Sequence, residues 1–294
     1  MYDVVSVIIT TYNRPFSYLN RAIKSIQNQT YTNLEIIIID DSPNDNQNRK
    51  EVEKKVAELK DNRIKYVQNE KNEGACKSRN RGIKISTGSF IAFLDDDDEW
   101  LPEKIELQLN KFKDKRVGLV YCASNTLVTK GDKVIKSSIR KYTISGNVFE
   151  TLMLKNFIGS TSFVVLKREA LELCGLFNEE LKSAQDFELW LRIAKEYAVD
   201  FVDIPLVNYY AHDGERITSD YEKKIQGLET VNELNKDYLN SNPKALSMRK
   251  MVLVPYYAQA FGKKRAIAKW MESLSIYPFQ KEASKYLVRI LRQT

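Results

Sequence analysis

Over the first hundred residues the hydrophobic pattern alternates between two periods. Val4–Thr10 (VVSVIIT) is a nearly unbroken apolar run of strand length, and Asn13 and Pro15 mark a turn after it. Phe16, Leu19, Ala22, Ile23 and Ile26 then recur at helical spacing over Phe16–Gln27. Leu34–Ile39 (LEIIII) predicts a second strand, ending in Asp40-Asp41-Ser42-Pro43. Glu51–Leu59 predicts a second helix through Val52, Val56 and Leu59, Ile64–Gln68 a shorter strand, and Ala75–Ser86 a third helix after Asn72-Glu73-Gly74. Thr87-Gly88 resets the chain into a fourth strand, Ser89–Leu94. Strands alternating with helices through short links predict an α/β fold of βαβ units, a Rossmann-like, mostly parallel sheet flanked by helices. Right-handed crossovers carry the loops after the long strands to one edge of that sheet. Thr10–Arg14, Asp40–Asp41 and Asp95–Asp98 converge there, at the carboxyl ends of the strands, where open α/β sheets place their ligands.

The second half of the chain is less regular. Leu101–Phe112 predicts a helix with Pro102 near its first position. Val117–Cys122 is a strand, Thr126–Ile135 a hairpin around Lys130-Gly131-Asp132, and Gly146–Lys155 a helix. Phe157–Leu166 is a loop carrying Gly159-Ser160-Thr161-Ser162 that feeds a strand, and Arg168–Cys174 a short helix stopped by Gly175. Ser183–Trp190 opens a helix ending near Glu196, and Phe201–Tyr210 is a strand running into Ala211-His212-Asp213-Gly214. Beyond Thr218 the pattern is helical, over Tyr221–Leu239, Ala245–Phe261, Lys264–Ile276 and Gln280–Arg292.

Composition is that of an ordinary globular protein, 43% apolar and 29% charged over 294 residues. Apolar runs are strand-sized, far below the ~20 residues of a membrane helix. The chain enters its first strand at once, without a basic leader, so a cytoplasmic location is expected. Cys76, Cys122 and Cys174 are too few and too scattered for a disulfide framework or a Cys-based zinc site. The net charge of +7 is concentrated at one end: residues 220–294 carry 14 Lys/Arg against 7 Asp/Glu. A basic helical end on a neutral body suits an anionic surface, either membrane or nucleic acid. With no recognition motif or aromatic stacking platform, nucleic acid is the poorer partner.

The chemistry concentrates in Asp95, Asp96, Asp97 and Asp98. Four carboxylates at a buried strand end raise one another's pKa unless a cation neutralises them, and oxygen ligands of high charge suit Mg2+ or Mn2+. A calcium loop is a poor alternative, since Trp100 stands where its sharp turn needs Gly. Neither G-x-G-x-x-G nor G-x-x-x-x-G-K-[ST] occurs, so phosphates must be held by a metal and side chains, with Arg79 and Arg81 as candidates. Asp186 lies in the first turn of its helix, where a carboxylate also serves simply to stabilise the helix start. His212 is the single histidine and could complete a metal sphere or be a plain loop residue.

SVIITTYNR (Ser6–Arg14), IIIIDDSP (Ile36–Pro43), NEGACKSRNRGI (Asn72–Ile83) and FLDDDDEWLPEKI (Phe93–Ile105) occur in an order and spacing that resembles a family 2 inverting glycosyltransferase of the glycosyltransferase A fold. GLFNEEL (Gly175–Leu181) and AQDFELWLRI (Ala184–Ile193) are similar to the acceptor-side motifs of that family, and the likeness covers about Ser6 to Ser219. The resemblance implies a catalytic domain over 1–219, divided into a nucleotide-sugar half (1–122) and an acceptor half (123–219), with 220–294 a basic helical C-terminal region. It implies transfer, with inversion, of a sugar from a nucleotide diphosphate sugar, commonly a UDP-sugar, to a hydroxyl of a glycan or lipid-linked glycan. By position, Thr10, Tyr12 and Asp41 would line the base and ribose pocket, Arg79 would face the diphosphate, and Asp96 would lie near the ribose. Asp95 and Asp97 match the D-x-D metal pair, although Asp96 and Asp98 satisfy the same pattern. Asp186 matches the catalytic base, and His212 a histidine that helps to hold the metal or diphosphate. The Phe157–Ser162 loop and the Gly146–Lys155 helix would shape the acceptor pocket. Bacterial surface polysaccharide synthesis at the inner face of the cell membrane fits the basic C-terminal region. A metal-dependent nucleotidyltransferase, which releases pyrophosphate instead, is the alternative reading of the acidic edge.

Overall fold

The computed structural model describes residues 3–131, 133–212, 220–280 and 283–292. The chain falls into two compact units that interleave along the sequence: Met1–Phe149, Phe157–Phe177 and Leu189–Asp213 form the first, and Glu150–Asn156, Asn178–Glu188 and Gly214–Thr294 the second.

The first unit begins with the alternation read above: β1 (Val5–Thr11), α1 (Phe16–Gln27), β2 (Leu34–Asp40), α2 (Gln47–Glu58), β3 (Ile64–Gln68), α3 (Ala75–Ile85) and β4 (Phe90–Asp95). It continues through β5 (Glu99–Trp100), α4 (Lys104–Leu109), β6 (Val117–Lys130) and β7 (Lys133–Arg140). The chain then runs through α5 (Phe149–Leu154), β8 (Val164–Lys167), α6 (Arg168–Cys174), α7 (Gln185–Glu196) and β9 (Ala198–His212). Most of α5 and the first turn of α7 belong to the second unit. Among the described residues one nine-stranded sheet runs in the order β3-β2-β1-β4-β8-β6-β9-β5, with β7 on β6. β3, β2, β1 and β4 are mutually parallel; β8 then enters antiparallel to both β4 and β6.

The unbroken apolar strands follow from a sheet covered on both faces. Val5, Val7, Ile9, Ile36, Ile38, Ala92 and Leu94 form one core with Leu19, Ala22, Ile23 and Ile26 of α1 and Val52 and Val56 of α2. Ile8, Ile37, Ile39 and Phe93 on the opposite face are equally buried. Each Val, Leu, Ile or Phe side chain among them contributes about 1.5–3 kcal/mol. The register sets Thr10 beside Asp95 and Thr11 beside Asp40, so the carboxyl ends of β1, β2 and β4 finish level.

The second unit is mainly helical: α8 (Tyr221–Leu234), α9 (Lys236–Ser241), α10 (Pro243–Phe261), α11 (Lys263–Ile276) and α12 (Ala283–Arg292). Met251, Val254, Ala266 and Ile290 centre its core. Ser247 Oγ donates to the Ser273 carbonyl at 2.8 Å, tying α10 to α11.

Three of the elements that differ from the sequence pattern do so because a distant partner takes over the backbone. The helix expected from Leu101 starts only at Lys104, because Leu101 N–H donates to Leu206 O (2.9 Å) and Pro102 O accepts from Thr30 N–H (2.9 Å). The helix expected over Gly146–Lys155 contracts to α5, since Gly146 bridges to Val199 through reciprocal backbone bonds of 2.8 and 3.0 Å. The strand expected to end at Cys122 continues to Lys130, because β9 pairs with it as far as Thr129↔His212. Among the described residues no helix is long and apolar enough to cross a membrane.

Candidate active site

The carboxyl edge of β1, β2 and β4 carries the acidic run, and burial sorts its members into two pairs. Asp98 is wholly buried and Asp96 is 7% exposed. The side chains of Asp95 and Asp97 are 30% and 20% exposed. Asp98 N–H closes a turn onto Asp95 O at 3.0 Å, which sends successive carboxylates alternately inward and outward. Asp98 Oδ2 accepts from the buried Ser162 hydroxyl at 2.6 Å and its Oδ1 from Tyr210 N–H at 3.3 Å. Burial still raises its pKa well above the usual carboxylate range, and the charges of Asp95 and Asp97 raise it further. Asp96 takes a 2.7 Å bond from Thr11 Oγ1 and an ion pair from Arg14 Nε at 3.3 Å. Burial lifts its carboxyl to about 7 against the opposing pull of Arg14.

The outward pair meets cations. Arg14 Nη2 lies 2.8 Å from Asp97 Oδ2, and Arg79 Nη2 lies 2.9 Å from Asp95 Oδ1. Burial works against the Arg14 guanidinium, but the charges of Asp96 and Asp97 outweigh it and raise its pKa. Arg21 donates to the Asp97 carbonyl at 2.5 Å and stacks on the Tyr210 ring at 3.9 Å. Ser160 and Thr161 reach Asp95 at 3.3 Å each, and Asp95 N–H donates to Ser162 Oγ at 3.1 Å. The Gly159–Ser162 stretch, expected on the acceptor side, thus bonds the acidic run.

Next to this run Asp41 is 4% exposed and accepts three hydrogen bonds. They come from Asn69 Nδ2 (2.7 Å), Glu73 N–H (2.8 Å) and Gly74 N–H (2.8 Å). Gly74 has φ +88°, a conformation L side chains rarely adopt, and it delivers its N–H to Asp41 while opening α3. An ionised carboxylate has about four acceptor positions, so among the described residues one is left unfilled. Tyr12 is 49% exposed beyond the end of β1. Arg81, read as a possible phosphate contact, instead donates to Gln68 O at 2.9 Å and to Asn69 Oδ1, fixing the end of β3.

This edge brings together Thr10, Asp41, Arg79, Asp95, Asp96 and Asp97. His212 ends β9 opposite Thr129, and its imidazole lies outside the described residues. Asp186 belongs to the second unit, in the first turn of α7, where its Oδ1 accepts from Phe187 N–H at 2.7 Å. It lines a cavity of about 620 Å³ within that unit, together with Leu154, Lys155 and Asn156.

In the sequence Thr11 and Arg14 stand only as members of the Thr10–Arg14 turn and Ser162 only as a member of the acceptor-side loop, and Arg21 carries no signal at all. Arg14 was visible in the turn after β1, and Ser162 in a hydroxyl-rich loop, but their partners lie 83 and 64 residues away. Among the described residues no three His, Cys, Asp or Glu side chains form a ready cation cluster. Asp95 and Asp97 are nevertheless oxygen donors of the kind a hard divalent cation takes: they are the more exposed pair, and the partners they meet include the exchangeable guanidinium groups of Arg79 and Arg14.

The chain matches the family model "Glycosyl transferase family 2" over residues 6–174. It is 32% identical over 226 residues to the putative colanic acid biosynthesis glycosyl transferase WcaA of Escherichia coli K12, covering 76% of this chain and 78% of WcaA. It is 31% identical over 200 residues to an Escherichia coli UDP-Glc:alpha-D-GlcNAc-diphosphoundecaprenol beta-1,3-glucosyltransferase, WfgD, covering 68% and 73%. An uncharacterized glycosyltransferase of Rickettsia conorii is 34% identical over 243 residues; there 80% of this chain spans 38% of the relative's length. The crystal structure of S. aureus TarS 1–349 in complex with UDP-GlcNAc superposes with a TM-score of 0.63 at 18% identity, over 97% of this chain and 79% of that one. The expected glycosyltransferase A type fold therefore holds. A family model spanning more than half of the sequence, and relatives aligned over most of it, agree with the motif order from Ser6 to Ile193: the chain belongs to glycosyl transferase family 2 and is a glycosyltransferase.

Proposed function

We propose that the chain is an inverting, metal-dependent transferase that moves a sugar from a nucleotide diphosphate sugar, a UDP-sugar by preference, to a hydroxyl of a lipid-linked glycan in bacterial surface polysaccharide synthesis. The observation that carries the reading is the level carboxyl edge, where an outward carboxylate pair and two arginines stand beside a nearly saturated Asp41. Thr10, Tyr12 and Asp41 would hold the base and ribose, with the free acceptor position of Asp41 taking a base N–H. Asp96, hydrogen-bonded to Thr11, would sit near the ribose. Asp95 and Asp97 would hold Mn2+ or Mg2+, with His212 as a further ligand or phosphate contact. When bound, the metal would supply Lewis-acid stabilisation of the negative charge on the leaving diphosphate. Arg79, and Arg14 with it, would turn from the aspartates to the diphosphate, as guanidinium groups bind phosphate oxygens bidentately.

Asp186 would take the proton of the acceptor hydroxyl, work worth roughly 10²–10⁴-fold. In-line attack from the face opposite the leaving diphosphate then inverts the anomeric centre. WfgD and WcaA support the acceptor class and the polysaccharide setting by their names. Residues 1–219 would hold the catalytic functions, and the basic residues of 220–294 would face an anionic membrane. The test is a panel of nucleotide sugars with Mn2+ or Mg2+, scored by nucleoside diphosphate release, with Asp186→Asn alongside. Turnover in the variant should fall by at least a hundredfold. Unchanged turnover would remove Asp186 as the base, and metal-independent turnover would remove Asp95 and Asp97 as ligands.

A further inference from the structure

The cavity lined by Asp186 also holds a buried cation with one donor unpaired among the described residues. Arg249, on α10, is only 2% exposed. Its Nε donates to Asn232 Oδ1 on α8 at 2.7 Å, and its guanidinium lies 4.9 Å from the Phe187 ring centroid. Nη2 is buried with no hydrogen-bond partner among the described residues. Burial pulls the pKa of this guanidinium down to about 10, and the phenols of Tyr256 and Tyr286 oppose the fall only in part. Leaving a buried charged donor unsatisfied is expensive, and native structures seldom tolerate it without a function.

The rest of the wall suggests the missing partner. Lys155 and Lys224 line the same cavity, so among the described residues three cationic side chains stand there with a single carboxylate, Asp186. Leu154, Leu228 and Val252 add aliphatic surface, and Tyr256 and Tyr286 add aromatic surface on which a sugar ring can pack. The volume of about 620 Å³ lies within the usual range of small-molecule sites. A neutral sugar hydroxyl can accept from a guanidinium but brings no countercharge to this cationic wall, whereas a phosphoryl oxygen brings both, in a charge-assisted bond.

We propose that this cavity is the acceptor site and that Arg249 recognises a phosphate or diphosphate ester carried by the acceptor. This rests on reading Asp186 as the acceptor base. Arg249 is a specificity residue in this scheme: it holds the anionic end of the acceptor while the hydroxyl end meets Asp186.

The test reads binding rather than turnover, on the full chain with UDP present at saturation to cover the nucleotide edge. UDP is titrated first, so that failure of the glycosyl-transfer reading shows as absent UDP binding, separately from the anion result. Calorimetric titrations then compare inorganic pyrophosphate, octyl diphosphate and the neutral octyl glucoside in wild type, Arg249→Met and Arg249→Lys. Wild type should bind octyl diphosphate at least tenfold more tightly than octyl glucoside, and Arg249→Met should lose that preference. Arg249→Lys keeps charge but not the fork, and should retain it in part. Pyrophosphate binding as tight as the octyl ester identifies a free phosphate group as sufficient; tighter binding of the ester identifies a lipid-type headgroup. Equal octyl diphosphate affinity in wild type and Arg249→Met overturns the proposal. If Arg249→Met does not fold, unchanged affinity in Arg249→Lys overturns it as well.

Discussion

Lys104, the first residue of α4, allows a stability prediction with a sign and a size. Its side chain is fully buried, and Nζ has no hydrogen-bond partner among the described residues. Its ammonium lies 4.0 Å from the Trp100 ring centroid. Burial lowers its pKa from 10.5 to about 8, with the neighbouring Cys122 thiol resisting. Each pKa unit is worth 1.36 kcal/mol, so a charged Lys104 costs the folded state about 3 kcal/mol at neutral pH. Between pH 8 and 10.5 the unfolded chain holds more protons than the folded one, so stability rises with pH across that window and the cost vanishes above it. Met at this position keeps the length and removes the charge, forfeiting a desolvated cation–π contact worth about 2 kcal/mol. Lys104→Met should therefore be more stable than wild type by about 1 kcal/mol at pH 7, measured by urea unfolding, and the gap should close as pH rises towards 10.5. A variant that is less stable at pH 7, or a gap independent of pH, would refute the reasoning. A benefit explains why the lysine is tolerated: the Trp100 indole N–H donates to Ser162 O at 2.9 Å, and the Ser162 hydroxyl holds Asp98. Lys104 thus steadies the support beneath the acidic run, and the stabilised variant should turn over more slowly, the usual trade at an active site.

Two further predictions concern the same support and the basic surface. Ser162→Ala removes both the 2.6 Å donor to Asp98 and the acceptor of Asp95 N–H; it should destabilise the chain by about 2–4 kcal/mol in urea unfolding, since each unpaired buried group costs about 1–3 kcal/mol, and a loss below 0.5 kcal/mol would mean that neither bond matters. Lys263, Lys264 and Arg265 are exposed at the start of α11; replacing all three with Gln should weaken binding to phosphatidylserine vesicles about 100-fold, from about 1 kcal/mol per charge, and equal binding by both proteins in a sedimentation assay would dismiss α11 as a membrane contact.

The parts of the fold that were legible are those whose cause is local. Ile36–Ile39 reads as a strand because a sheet covered on both faces needs no polar alternation, and Leu19, Ile23 and Ile26 read as a helix because one face is enough to bury α1. Boundaries failed where a distant partner takes over a backbone group. Leu101 would extend α4 on propensity alone, yet its N–H is committed to Leu206, more than a hundred residues on. Gly146 would join α5 but is held by Val199 instead.

The acidic run shows the same division more sharply. Four adjacent aspartates announce a site, but nothing in the run says which pair faces outward. That is decided by Ser162 and Tyr210, which satisfy Asp98 from within, and by Thr11, which does so for Asp96. Burying two carboxylates in this way would be prohibitive without those donors, and with them the remaining two are left on the outer side of the turn beside Arg79 and Arg14. The outward arrangement favours Asp95 and Asp97 over Asp96 and Asp98 as the metal pair. Under the proposed function the two arginines would alternate: a guanidinium that neutralises a carboxylate without ligand would neutralise a diphosphate once a divalent cation replaced it. Exchange of that kind would keep the edge close to charge balance in both states, and the inner carboxylates would keep their donors.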